Sequence, residues 1–159
     1  MTNQNESTAQ EEDLFRDTPV RYLGYANEIG ESFRSMVSVT AVRATYVAAF
    51  AYVFADSVDK ATKEYKKEHP EKLTKSAIIA ADTLAWQAFA SVFIPGFAIN
   101  RICYGANLLL ERSTKLPTPI RKWTVTALGL GMIPLIIHPI DTLVENSMNA
   151  TVRKLYKHE

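Results

Sequence analysis

The chain has 159 residues, with 18 Lys+Arg against 17 Asp+Glu and a formal charge of +1. One domain is expected at this length, and the near-balanced charge excludes a broad cationic surface for nucleic acid. The single cysteine, Cys103, excludes an intramolecular disulfide framework and a cysteine-based zinc site.

Charge is segregated along the chain. Residues 1–12 (MTNQNESTAQEE) are acidic and lack an apolar run, and they read as a disordered acidic N-terminus ahead of a single helical membrane domain, 13–159. They match neither a secretory signal, which needs a basic start and an apolar core, nor an Arg-rich presequence. Any organelle address is therefore expected to be internal, or there is none.

Thr18-Pro19 reads as a helix start, with Thr18 as N-cap and Pro19 in the first helical position. Tyr22, Ala26, Ile29 and Phe33 then recur at helical spacing as one amphipathic stripe, with Glu28, Glu31 and Arg34 off it. Two arginines offset two glutamates in 19–35, so the stripe is expected to pack on other helices rather than on anionic lipid. Gly24 and Gly30 would allow close backbone approach.

Three candidate membrane spans follow: 36–55, 77–99 and 124–140. The first contains Arg43 and the second Asp82. Between them, 56–76 is charged, broken by Pro70, and reads as a solvated connection. Residues 102–116 hold nine uncharged residues before Glu111, and read as a separate helix at the interface or packed on protein. Arg121, Lys122 and Trp123 flank the third span at headgroup level. Pro139 is expected to close that span and open a last amphipathic helix, with Val144 and Met148 on its apolar face and Glu145, Asn149 and Arg153 facing away. The fold class is therefore all-α: a polytopic helical membrane protein with about three transmembrane helices and amphipathic helices near both ends. A soluble bundle with central helices apolar all round is the alternative. Positive-inside counting does not orient the chain, since the two sides carry eight and nine Lys/Arg.

Motifs for catalysis are missing. No GxxxxGK[ST], GxGxxG or HExxH sequence occurs, and His69, His138 and His158 have no metal-ligand spacing. Cys103 has no histidine near it in sequence and reads as a plain buried or membrane-facing thiol. No catalytic, cofactor-binding or metal residue is assigned, and neither nucleotide nor nucleic acid is expected as a partner. The polar candidates inside the spans are Arg43 and Asp82, because an intramembrane charge usually finds a partner. Their depths in antiparallel helices differ by about 10 Å at 1.5 Å per residue, which makes independent snorkelling a serious rival to pairing. The candidate interaction faces are Tyr22, Ala26, Ile29 and Phe33, and Val144 with Met148.

Long blocks of the chain resemble the mitochondrial fission process protein family. They are DLFRDTPVRYLGYANEIGESFRS (13–35), ADSVDK (55–60), DTLAWQAFASVFIPGFAINR (82–101), RKWTVTALGLGMIPLIIHPID (121–141) and RKLY (153–156). Arg43 departs from the uncharged first span that the resemblance leads one to expect. The resemblance implies a non-enzymatic, multi-pass protein of the mitochondrial inner membrane that promotes or regulates division and inner-membrane integrity. Its partners would be the lipid bilayer and unidentified mitochondrial membrane proteins. A small transport or conductance protein, or a regulatory subunit of a respiratory or carrier complex, is the alternative function.

Overall fold

A computed structural model describes residue 15, residues 18–68 and residues 70–156; the acidic segment 1–12 lies outside the described residues. A 3-10 helix, Pro19–Tyr25, opens the fold, with Thr18 Oγ1 accepting from the Val20 N–H at 3.3 Å and Pro19 in the first turn. It passes directly into helix α1 (Ala26–Ser32). Ser38 then caps α2 (Val39–Tyr65) by accepting from the Ala41 N–H at 3.2 Å. The chain reverses through the connection that carries Pro70 into α3 (Lys72–Gln87).

The expected break after residue 99 does not occur. α3 runs through a π-helical segment, Ala88–Phe93, into α4 (Ile94–Ser113), giving one helix of 42 residues, Lys72–Ser113. Pro95 has no N–H and its ring crowds the preceding turn, and the wider π turn just before it makes room for the ring. Residues 102–113 are thus the continuation of the second span, not a separate interfacial helix. Ile102, Ala106 and Leu110 pack with the buried trio Ile99, Cys103 and Val125.

Nor does Pro139 start a new helix. α5 (Thr118–Ala150) carries both Pro134 and Pro139 in its interior, and a short α6 (Val152–Tyr156) follows a break at Thr151. Each internal proline forfeits one helical hydrogen bond. That loss is tolerated where packing along the helix fixes its course, and α5 packs against α4 and the π segment over most of its length.

α2 lies antiparallel along α3, and α4 antiparallel along α5. The segment from Pro19 to Ser32 fills the space between α2, α4 and α5. Two helices, Lys72–Ser113 and Thr118–Lys154, are long and apolar enough to cross a membrane, the most apolar 18-residue stretch of each having a mean hydropathy of 1.6. Only 17% and 11% of their most apolar stretches are buried, far less than a core helix of a soluble protein would show. α2 does not join them: Arg43 and the charges from Asp56 onward leave twelve uncharged residues, about 18 Å of helix. Among the described residues, helix length and apolarity thus support two crossings and not the three expected.

The polarity of the bundle is turned inside out. Phe54, Phe97, Leu135 and Val47 are all more than 60% exposed, while Asn27, Glu28, Glu31, Ser32 and Asp56 are no more than 2% exposed. Water would reverse both preferences; a hydrocarbon surround satisfies them.

Candidate functional site: a polar cavity inside the bundle

α1 buries the face opposite to the expected stripe. Tyr22 and Ile29 are exposed and Ala26 and Phe33 only half-buried, whereas Gly24, Asn27, Glu28, Gly30, Glu31 and Ser32 are buried. The physical reason is the closeness of approach that glycine allows. A Cβ at Gly30 would lie 2.0 Å from Thr45 Oγ1, and one at Gly24 would lie 3.1 Å from the Tyr52 ring. The helix sits where its small and polar residues face inward, and its apolar residues are left outside.

Glu28 and Glu31, one turn apart, have opposite surroundings. Glu31 accepts from Arg34 Nε and Nη2 at 2.5 and 2.6 Å, from Tyr46 OH at 2.9 Å and from Asn100 Nδ2 at 2.8 Å. Burial alone would raise its pKa, but the hydrogen bonds from Arg34, Asn100 and Tyr46 hold it below the usual carboxylate range. Glu28 is fully buried, and neither of its carboxylate oxygens has a hydrogen-bond partner. Desolvation pushes its carboxyl up to about 8.

Glu28 faces a cavity of about 350 Å³. The 3-10 helix contributes Arg21 and Tyr25, and α2 contributes Tyr52, Asp56 and Lys60, which recur at i+4 on one face. Trp86 and Gln87 come from the end of α3, Ser91 from the π segment, and Asp141 from α5. Asp56 Oδ2 accepts from Lys60 Nζ at 2.8 Å and from Gln87 Nε2, leaving Oδ1 without a partner. Gln87 Oε1 and Trp86 Nε1 are unpartnered as well. Orphaned polar atoms cost about 1–3 kcal/mol each when buried, so a cluster of them around one cavity calls for an explanation. Among the described residues, no group of His, Cys, Asp and Glu side chains has the geometry to hold a metal ion.

The pair Arg43 and Asp82 is not formed. Arg43 is exposed and makes no ion pair among the described residues. Asp82 is instead gripped by Arg153, with Nε to Oδ1 at 2.9 Å and Nη2 to Oδ2 at 2.7 Å. Arg153 also donates through Nη1 to Glu145 and to Asn149 Oδ1, the latter at 3.1 Å. The expected depth mismatch between Arg43 and Asp82 explains this, and α6, which follows α5, brings Arg153 to Asp82. The polar row Glu145, Asn149 and Arg153 therefore faces α3. Val144 and Met148 are buried against Ala90, with Trp86, Ile94 and Ile140 around them, so this face packs α5 onto the π segment within the chain and is not open to a partner. Cys103 is buried, with Sγ 3.9 Å from the Val125 carbonyl oxygen.

Sequence reasoning missed Glu28, Asp56, Gln87 and Asp141 as a group. Two signals were present: the i+4 row Tyr52, Asp56 and Lys60, and the spacing Gly24, Glu28, Glu31, which lays glycine and carboxylates on one helix face.

An all-helical chain with two helices fit to cross a bilayer, apolar outside and polar within, is the class that fold and cavity define. The family model of the mitochondrial 18 kDa protein (MTP18) matches residues 14–76 and 57–148. The chain is 62% identical over 158 residues to mitochondrial fission process protein 1 of Caenorhabditis briggsae, covering 96% of this chain and 98% of that one. It is 61% identical over 147 residues to the Caenorhabditis elegans protein of the same name, covering 91% of this chain and 89% of that one. With the human protein of that name it shares 50% identity over 148 residues, covering 92% and 89%. No solved structure matches it. This chain belongs to the mitochondrial fission process protein family.

Proposed function

We propose that this chain is a non-enzymatic, multi-pass protein of the mitochondrial inner membrane that promotes mitochondrial division and inner-membrane integrity through contacts with other membrane proteins. The observation that carries the membrane part is the inverted polarity of the bundle, with Phe54, Phe97 and Leu135 outside and Glu28, Glu31 and Asp56 inside. The names of its relatives carry the fission part. In this reading α2 supplies the third crossing. Glu31 bonds both Tyr46 and Asn100, which puts Arg43 and Arg101 near one level of the bundle. Asp56 bonds Gln87 toward the other end. The thirteen helical steps from Arg43 to Asp56 rise about 20 Å, short of a hydrocarbon core of about 30 Å. Long arginine side chains snorkel across part of that difference.

Since Val144 and Met148 are engaged inside the chain, partner contacts fall to the outward residues Tyr22 and Ile29 of the first segment. The test is twofold. The protein should resist carbonate extraction from mitochondria, and it should become accessible to protease only after the outer membrane is ruptured. Extraction by carbonate, or digestion in intact mitochondria, would overturn the inner-membrane reading.

A further inference from the structure

The cavity beside Glu28 has a donor and acceptor balance that specifies a ligand. Its unpartnered buried atoms are four acceptors, Glu28 Oε1 and Oε2, Asp56 Oδ1 and Gln87 Oε1, against one donor, Trp86 Nε1. Glu28, Asp56 and Gln87 are each at least 95% buried, so bulk water does not serve these atoms from outside. The ionisable lining comprises three carboxylates, Glu28, Asp56 and Asp141, and two cations, Arg21 and Lys60. Once Glu28 gives up its proton the lining carries one net negative charge, and a single positive charge rich in N–H groups then balances both the charge and the hydrogen bonding. The walls beside these acceptors are aromatic, from Tyr25, Tyr52 and Trp86, which suits a cation over ring faces. A volume of about 350 Å³ lies at the small end of the roughly 300–1,000 Å³ usual for ligand sites.

We propose that this cavity binds a primary ammonium group, carried either by a small free amine or by the headgroup of an aminophospholipid. A quaternary ammonium has no N–H and cannot serve the four acceptors, so the chemistry itself provides the control. The proposal stands on the cavity and is independent of any role in fission.

The full chain, carrying Trp123→Phe so that Trp86 is the sole indole, is purified in a neutral detergent and an amine-free phosphate buffer. Ethanolamine hydrochloride and tetramethylammonium chloride are titrated at constant ionic strength while Trp86 emission is followed. Ethanolamine should give a saturable change and tetramethylammonium none. Glu28→Gln should weaken the ethanolamine midpoint by roughly tenfold or more, the loss of one charge-assisted hydrogen bond. Asp56→Asn provides a second variant should Glu28→Gln not fold. A lipid arm compares nanodiscs of phosphatidylethanolamine with nanodiscs of phosphatidylcholine. A Trp86 shift confined to the former and abolished by Glu28→Gln identifies the headgroup as the source; a response to ethanolamine alone identifies a free amine. The proposal is overturned by equal responses to the two cations, by no saturable response in either arm, or by midpoints unchanged in both variants. The last two results would leave a cavity filled by water.

Discussion

Glu28 makes the stability of this protein depend on pH in a direction that is unusual for a carboxylate. Its carboxyl sits at about 8 in the fold, against 4.5 as its ordinary value, because burial penalises the ion and only its own backbone N–H offsets a smaller part of the penalty. Below about 4.5 the group is protonated in both folded and unfolded chains and contributes nothing to the pH dependence. Between 4.5 and 8 the folded chain retains a proton that the unfolded chain has lost, so stability falls as pH rises. Above 8 both are ionised and the full penalty applies. At about 1.4 kcal/mol per pKa unit, the loss across the window is roughly 4 to 5 kcal/mol. Glu28→Gln keeps the shape and removes the charge, so it should flatten the curve and stabilise the protein most at pH 8. The other charged groups around the cavity, Arg21, Asp56, Lys60 and Asp141, are present in both proteins, so the difference between them isolates Glu28. The assay is reversible denaturation in neutral detergent and amine-free buffer at pH 5, 6.5 and 8. Parallel curves for the two proteins would refute the reasoning, because they would mean that Glu28 is ionised and paired across the whole range.

Three further perturbations have definite expectations. Gly30→Ala sets a Cβ 2.0 Å from Thr45 Oγ1 and 2.9 Å from Thr45 Cβ; it should lower stability by about 1–3 kcal/mol in thermal unfolding, with Thr45→Ala recovering part of the loss. Arg153→Ala and Asp82→Ala should each cost roughly 1 to 2 kcal/mol, and the double variant should lose clearly less than the sum of the two; additivity would mean that the bidentate pair is not formed. Ile29→Asp should leave insertion and unfolding unchanged but impair rescue of the mitochondrial network, whereas Val144→Asp should damage folding itself, because Val144 is buried against Ala90. Network morphology and detergent unfolding, measured side by side, separate the two, and a folded Val144→Asp or a fully rescuing Ile29→Asp would count against these assignments.

Helix starts and apolar stretches were legible in the sequence because they depend on local chemistry. Thr18-Pro19 caps the first turn as expected, and the charge-free runs lie in the two helices fit to cross a bilayer. What the sequence hid was decided by contacts between distant segments. Pro139 looks like a helix end, yet it lies within a continuous helix because packing supports it, and the helix expected to stop at residue 99 runs on to Ser113. α1 faces the opposite way to its apolar stripe, because the rule that such a stripe points inward holds in water and inverts in lipid. Gly24 and Gly30 already marked the buried face, and Glu28 and Glu31 lie beside them on it. The cavity itself draws on segments more than a hundred residues apart, from Arg21 to Asp141, and no local pattern connects them.

The inverted bundle is the central claim, and accessibility of single spin labels tests it most directly. Cys103 is the chain's one cysteine and is buried, so Cys103→Ala provides a background for Phe54→Cys, Phe97→Cys and Leu135→Cys, all at positions more than 60% exposed. After labelling and reconstitution into liposomes, relaxation by oxygen is compared with relaxation by a water-soluble nickel chelate at each site. The account predicts strong relaxation by oxygen and weak relaxation by nickel at all three positions. Strong relaxation by nickel at these positions would place the apolar exterior in water and contradict it.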